Sequence, residues 1–273
     1  MNIIGIDLGT SLSKIIECDE KLNIVNKMIS YEKEIEKVMN DFTSQNNVDI
    51  SKIEKIVITG VGSSKIKQEK IRDIEVIKTN EFLAVGLGSL ELAKKEEALI
   101  ASMGTGTAIV KANGKGIEHL GGTGVGGATL LNLAGKFAGT NNFDEIVELS
   151  KKGTLENVDL TIGDITEEEI TTLPSNITAA NFGKLNEKAT KEDIILGIIN
   201  MIFEVIGMFT VFASKSSEVK DVILVGSLTK VPYIHTVIGM FKYLCDLNYI
   251  IPENAEYAVA IGAVKNSLKL IDK

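Results

Sequence analysis

The chain has 273 residues, 44% of them hydrophobic and 24% charged, with a mean hydropathy of +0.17. That length and composition suit one α/β unit or two sub-domains, with a core ample enough to need no disulfide or structural metal. A net charge of −8 and a pI of about 5.0 argue against nucleic acid as a general partner.

Arg72 is the single arginine, so a planar bidentate clamp on an anion has one candidate. Cys18 and Cys245 match no metal-ligand spacing, which favours a reducing, cytoplasmic setting. Residues 1–7 carry no basic n-region and reach Asp7 at once, so no cleaved leader is expected.

Residues 2–6 read as a short strand ending in Asp7-Leu8-Gly9-Thr10-Ser11, and strands follow at 13–17 and 23–30. Ile35, Val38, Met39 and Phe42 recur at helical spacing and predict a helix over 31–42. β-branched residues mark strands at 55–59, closed by Gly60, and at 74–79. Asn80 suits the cap of a helix running to about 97. A second unit then opens like the first. A strand at 98–101 delivers Ser102-Met103-Gly104-Thr105-Gly106-Thr107, strands return at 108–111 and 117–120, and the glycine stretch 121–127 feeds a helix over 128–138. Residues 140–190 are mixed and polar, and their elements are only weakly marked. A long helix over 190–217, a strand at 221–225 closed by Gly226-Ser227, and helices at 233–247 and 257–270 complete the chain.

The long helix is apolar enough over 194–213 to be tried as a membrane span. Asn200 and Glu204 stand midway, and a central acid costs about 2.5–3.5 kcal/mol on insertion scales. A buried or interface helix is expected instead, and no membrane partner. Ile194, Ile198, Ile202, Val205 and Phe209 share one side, more apolar face than one lobe covers, which predicts packing against a second copy.

Two strand-delivered, hydroxyl-rich loops about a hundred residues apart describe a nucleotide clamped from both sides. Glycine admits the backbone closely, and N–H groups with Ser/Thr hydroxyls replace phosphate hydration. Asp7-x-Gly9-Thr10-Ser11-x-x-Lys14 adds a carboxylate for Mg²⁺ and a lysine for phosphate charge. Gly122-x-Gly124-x-x-Gly127, with Asp144 downstream, matches the dinucleotide pattern but follows a hairpin rather than opening a βαβ unit. It is read as a helix start facing an anion. No Walker-type run occurs. Glu81 at the head of a helix is an ordinary first-turn acid or a catalytic base. His119, just before the glycine stretch, carries more weight than His235 on an amphipathic helix.

Asp7–Lys14, Met103-Gly104-Thr105-Gly106-Thr107, Gly121–Gly127 and above all Thr178-Ala179-Ala180-Asn181-Phe182-Gly183 together resemble the type II pantothenate kinases, in order and spacing, through Val225-Gly226-Ser227 and Ala260-Ile261-Gly262-Ala263. The resemblance implies a two-lobed actin-like ATPase fold (ribonuclease H-like, α/β, mixed sheets with flanking helices), with lobes at 1–97 and 98–273, the final helix free to pack back on the first. It implies a homodimer that phosphorylates pantothenate with MgATP. By the same resemblance Glu81 is the catalytic base, and Asp7, Leu8, Gly9, Thr10, Ser11, Leu12, Ser13, Lys14, Gly104, Thr105, Gly106, Gly127, Ala128, Thr129, Leu130 and Leu131 fall on ATP positions. Phe143 and Ser227 flank the adenosine side, and Asp7 serves the metal. His119 stands where the family has an arginine in the catalytic machinery, a change that alters the donor set. Two alternatives follow: a kinase for another small alcohol, or an ATP-driven iron–sulfur activator of the same superfamily.

Overall fold

A computed structural model describes residues 1–166 and 174–269. The strands β1 (Asn2–Leu8), β2 (Ser13–Asp19) and β3 (Ile24–Ser30) form an antiparallel meander. Helix α1 (Ile35–Gln45) leads to β4 (Ile53–Thr59), parallel to β1, and then to β5 (Lys70–Ile71) and β6 (Ile74–Lys78). The first sheet therefore runs β3-β2-β1-β4-β6-β5.

After α2 (Glu81–Ala93) the design recurs. The meander β7 (Ala98–Met103), β8 (Thr107–Asn113) and β9 (Gly116–Thr123) is followed by α3 (Gly127–Ala138) and α4 (Phe143–Ser150). Next come a two-stranded pair, β10 (Leu160–Thr161) and β11 (Thr178–Ala180), with α5 (Ile162–Ile165) following β10, and then the long α6 (Lys191–Ser217). The parallel strands β12 (Asp221–Val225) and β13 (Asn248–Ile250), joined by α7 (Ile234–Cys245), finish a sheet ordered β13-β12-β7-β8-β9, and α8 (Ala258–Lys269) ends the described chain. Apart from the short edge strand β5, both sheets thus share one order and one pattern of antiparallel and parallel pairings, the repeat anticipated from the two loops.

Strand β1 is buried on both faces, which accounts for its unbroken apolar run. Ile4, Ile6 and Leu8 meet α1, whereas Ile3 faces the layer between the sheets. That middle layer holds α2 and α8, exchanged between the halves: α2 lies on β7, β8 and β9, and α8 lies on β1, β2 and β4. The two helices touch backbone to backbone. A Cβ on Gly88 would lie 1.8 Å from Ala258 O, and one on Gly262 would lie 1.8 Å from Ala84 O. Lys265 Nζ reaches Glu91 Oε2 at 2.6 Å across the same contact. Matching helices of the two halves thus meet at matching glycines.

Two helix ends differ from expectation. Helix α1 begins at Ile35 because Glu32 N donates to Ser30 Oγ, and the amides of Lys33 and Glu34 donate to the Glu32 carboxylate. Such local side-chain bonds compete with helix formation. Helix α2 stops at Ala93, where Lys94 turns left-handed and caps it. Helix α6 is the one described helix long and apolar enough to cross a membrane, and most of it is buried in the molecule. The stripe expected to meet a second copy is partly core, because Ile198 and Ile202 are each 1% exposed against the second sheet. Met208, Phe209 and Phe212 are the exposed apolar residues of that helix.

Candidate functional site

The ends of β1, β4 and β6 form the floor of the site. Asp7 pairs with Thr59 in the parallel register, and Thr79 N donates to Ile58 O, so three polar residues line up at neighbouring strand ends. Strand alternation turns them toward the middle layer, since Ile3, Val57 and Ile77 two or four residues earlier pack there. Asp7 Oδ2 accepts from Lys14 Nζ at 3.1 Å, a nearly buried pair joined across β1 and β2. Thr59 Oγ1 and Thr79 Oγ1 are buried hydroxyls with no hydrogen-bond partner. Buried polar groups are ordinarily satisfied, so these mark the floor as polar by design.

Glu81 opens α2 immediately beyond this floor, and Asn80 caps the helix by accepting from Leu83 N at 3.1 Å. Burial raises the Glu81 carboxyl above its ordinary range, the Asp7 charge raises it further, and Lys14 opposes. A carboxylate made more basic than usual, beside a second acid and a cation, is equipped to take a proton.

The second loop meets the first directly. Ser11 Oγ and Thr105 Oγ1 share a hydrogen bond of 2.8 Å, bridging 94 residues of sequence. Each loop has its own frame: Gly9 N donates to Leu12 O at 3.1 Å, and Gly104 N donates to Gly106 O at 2.9 Å. The head of α3 is tied to the second loop, with Gly127 N donating to Gly104 O at 2.8 Å and Ala128 N to Thr105 O at 3.1 Å. Gly226 (φ +101°) closes from the other side, where a Cβ would lie 2.2 Å from Met103 O, and this brings Ser227 against the loop. Its counterpart in the first half is Gly60 (φ +87°), whose Cβ would meet Leu8 O at 2.6 Å and Asp7 Oδ1 at 2.7 Å. Positive φ and contact with backbone both exclude a side chain there.

Thr59, Gly60 and Thr79 read in the sequence only as strand ends with no role in the site, although Thr59-Gly60-Val61-Gly62 ends its strand just as Val225-Gly226-Ser227 does. Conversely, several residues inside the expected motifs serve the fold. Leu8 and Leu130 point into cores, and Leu131 and Phe143 pack at the edge of the second core. The Ser13 hydroxyl is engaged with Glu32 O at 2.6 Å, and Thr129 Oγ1 is held by Gly126 N and Gly124 O. Gly121-Gly122-Thr123 is strand rather than loop, the end of an antiparallel edge strand, which disposes of the dinucleotide pattern. His119 stacks on Phe82, rings 4.2 Å apart and 17° from parallel, next to Glu81. His235 lies in α7.

The Thr178–Gly183 segment is anchored by the polar residues of α6. Asn181 Nδ2 donates to Glu204 Oε2 at 2.7 Å, Phe182 N to Asp159 Oδ1 at 2.8 Å, and Asn200 Nδ2 to Asp159 Oδ2 at 2.8 Å. Gly197 leaves room for the Phe182 ring. Among the described residues no three His, Cys, Asp or Glu side chains converge. One carboxylate beside two phosphate-type loops fits Mg²⁺, which keeps several waters and takes its other ligands from phosphate. Cys18 is buried in the middle layer with its thiol pushed up to about 12, while Cys245 ends α7.

The family model described as Fumble matches residues 92–247, more than half of the chain. The chain belongs to the Fumble family. Relatives of this Fumble-family chain include a type II pantothenate kinase of Bacillus cereus, 29% identical over 97% of this chain and 98% of that one. Another, from Staphylococcus haemolyticus, is 23% identical over 96% and 98%. Among solved structures, the activator of the 2-hydroxyisocaproyl-CoA dehydratase from Clostridium difficile superposes with a TM-score of 0.72 at 16% identity, covering 100% of this chain and 96% of that one. A ROK family glucokinase from Streptomyces griseus gives 0.62 at 12% identity, covering 97% and 99%. These likenesses establish the fold of the Fumble-family chain as the two-lobed actin-like ATPase architecture.

Proposed function

We propose that the chain transfers the terminal phosphoryl group of ATP to the primary hydroxyl of pantothenate, yielding 4'-phosphopantothenate and ADP, the first step of coenzyme A synthesis. Glu81 carries this reading: a carboxylate of raised basicity within electrostatic reach of Asp7 and Lys14, at the head of α2 just beyond the strand ends. The full-length likeness to relatives named type II pantothenate kinase supports the acceptor. The pantothenate oxygen attacks the terminal phosphorus and its proton passes to Glu81. The bond to the bridging oxygen breaks, and its electron pair leaves on ADP. Lys14, the amides and hydroxyls of Thr10, Ser11 and Thr105, and the amide of Gly106 hold the phosphates, and Ser227 borders the nucleoside. Asp7 would hold Mg²⁺, which supplies charge neutralisation on the phosphates. Positioning and charge stabilisation provide most of the acceleration for this chemistry.

The exposed residues Met208 and Phe212, with Ile194 and Met201, share one face of α6, and this supports a homodimer built on that face. Two free cysteines support a cytoplasmic setting. The test is a mass-detected assay of pantothenate with ATP and Mg²⁺ beside Glu81→Gln. Turnover of another small alcohol with none on pantothenate would move the reading to a kinase of that alcohol. That second reading is favoured by His119, stacked on Phe82 beside the base where the resemblance has an arginine.

A further inference from the structure

Three buried side-chain hydroxyls have no hydrogen-bond partner among the described residues, those of Thr59, Thr79 and Ser89. Ser89 lies inside α2, whereas Thr59 and Thr79 stand on adjacent strand ends at the floor of the cleft, 0% and 6% exposed. Lys78 turns its ammonium to Ile66 O on the outer side of the sheet, so Thr79 faces inward, as Ile77 two residues earlier does. Thr59 is the register partner of Asp7, and neighbouring strands run about 4.8 Å apart. The Asp7 carboxylate lies across this row. Its Oδ2 takes Lys14 of β2 at 3.1 Å, and its Oδ1 is turned toward β4, 2.7 Å from where a Cβ on Gly60 would stand.

The second half supplies an internal control. There Gly226 approaches Met103 O as Gly60 approaches Leu8 O, so Val225 stands where the first half has Thr59, and Ser102 where it has Asp7. Val225 is fully buried in the middle layer. The architecture therefore accepts an apolar side chain of the same shape at this strand end. Burying an unanswered hydroxyl there instead costs stability. Carboxylate and hydroxyl occur together in the half that carries Glu81.

We propose that Thr59 and Thr79 are positioning residues for the metal, their hydroxyls holding a water of the Mg²⁺ hydration shell beside Asp7 Oδ1. Mg²⁺ gives up its waters reluctantly and usually keeps several. A buried water typically makes about three hydrogen bonds to otherwise unsatisfied groups, and Asp7 with the two threonines offers that number on one face. Bonds of this outer kind fix the direction in which an ion holds its ligands. The proposal rests on the use of Mg²⁺-nucleotide put forward above and not on the identity of the acceptor.

The test titrates the β,γ-imido analogue of ATP into wild type, Thr59→Val, Thr79→Val and Thr59→Ser by calorimetry, once with Mg²⁺ and once with EDTA. Each valine variant should lose about tenfold or more of the affinity measured with Mg²⁺ and stay within about twofold of wild type in EDTA. Thr59→Ser keeps the hydroxyl and should bind within about threefold of wild type under both conditions. Metal-free Thr59→Val should melt no lower than wild type, since the second half already carries valine there. Unchanged affinity with Mg²⁺ in either valine variant overturns the assignment. Equal losses with Mg²⁺ and with EDTA overturn it too, because they mark hydroxyls that serve the fold. A rise in pantothenate KM with unchanged Mg²⁺-dependent affinity would give the hydroxyls to the acceptor and likewise overturn it. If one valine variant does not fold, the other decides alone. Should wild type bind the Mg²⁺ complex but phosphorylate no pantothenate, the acceptor fails while the valine comparison is still decided by binding. A wild-type affinity indifferent to Mg²⁺ removes this proposal together with the metal role of Asp7.

Discussion

Replacing Glu81 by glutamine removes a proton acceptor while keeping its size and polarity. General-base contributions are about 10²–10⁴-fold, so turnover should fall by at least about 10²-fold, or roughly 2.7 kcal/mol of barrier. Lys14 and Asp7 pair with each other rather than with Glu81, so ADP affinity should stay within about twofold of wild type. The raised carboxyl also fixes two signs. Wild-type rate should fall as pH drops through the Glu81 pKa, because the acceptor becomes protonated, and Glu81→Gln should lack that limb. A carboxyl more basic in the folded than the unfolded state binds protons preferentially when folded. It therefore costs stability above its folded pKa, and that cost disappears below about pH 4. Glu81→Gln should melt higher than wild type at pH 7 and equal to it at pH 4. Initial rates from pH 4.5 to 8 and melting curves at both pH values supply the assay. Turnover within a few-fold of wild type would reduce Glu81 to a helix-start residue, and a lower melting point at pH 7 would refute the burial argument.

Gly262→Ala would place a methyl 1.8 Å from Ala84 O, against backbone that cannot rotate away. Overpacking of that kind costs about 1–3 kcal/mol or more, a drop on the order of 5 °C in Tm by scanning fluorimetry; an unchanged Tm would contradict the helix contact. Asp7→Asn strands a lysine that is 10% exposed, which should cost about 3 kcal/mol in urea unfolding and raise the Mg²⁺ concentration needed for half-maximal rate. An unshifted Mg²⁺ titration would take the metal away from Asp7. Phe212→Asp, at a position 61% exposed, should convert a dimer to a folded monomer in sedimentation velocity, and a persistent dimer would relocate the interface.

Much of the architecture was legible because it is written in local periods. The β-branched runs of β1, β4 and β12, the helical spacing of Ile35, Val38, Met39 and Phe42, and the Asn80 cap each reflect interactions within a few residues. The two loops were legible for the same reason, as each is a strand followed by small residues. Local bonding also explains the boundary errors, since the Glu32 turn and the left-handed Lys94 are invisible to apolar spacing.

What tertiary structure alone decided lies in contacts between distant segments. No period in the sequence says that α2 and α8 change places, that Gly88 meets Gly262, or that Ser11 bonds Thr105. Hydrophobic pattern tells which face of a helix is buried but not against what, so Ile202 read as a dimer contact and proved to be core. Charge is still less local. Glu81 gains its basicity from burial and from Asp7 on a different strand. A side chain's residue type is a property of the chain, whereas its dielectric surroundings and charged neighbours exist only once the two halves have closed on each other.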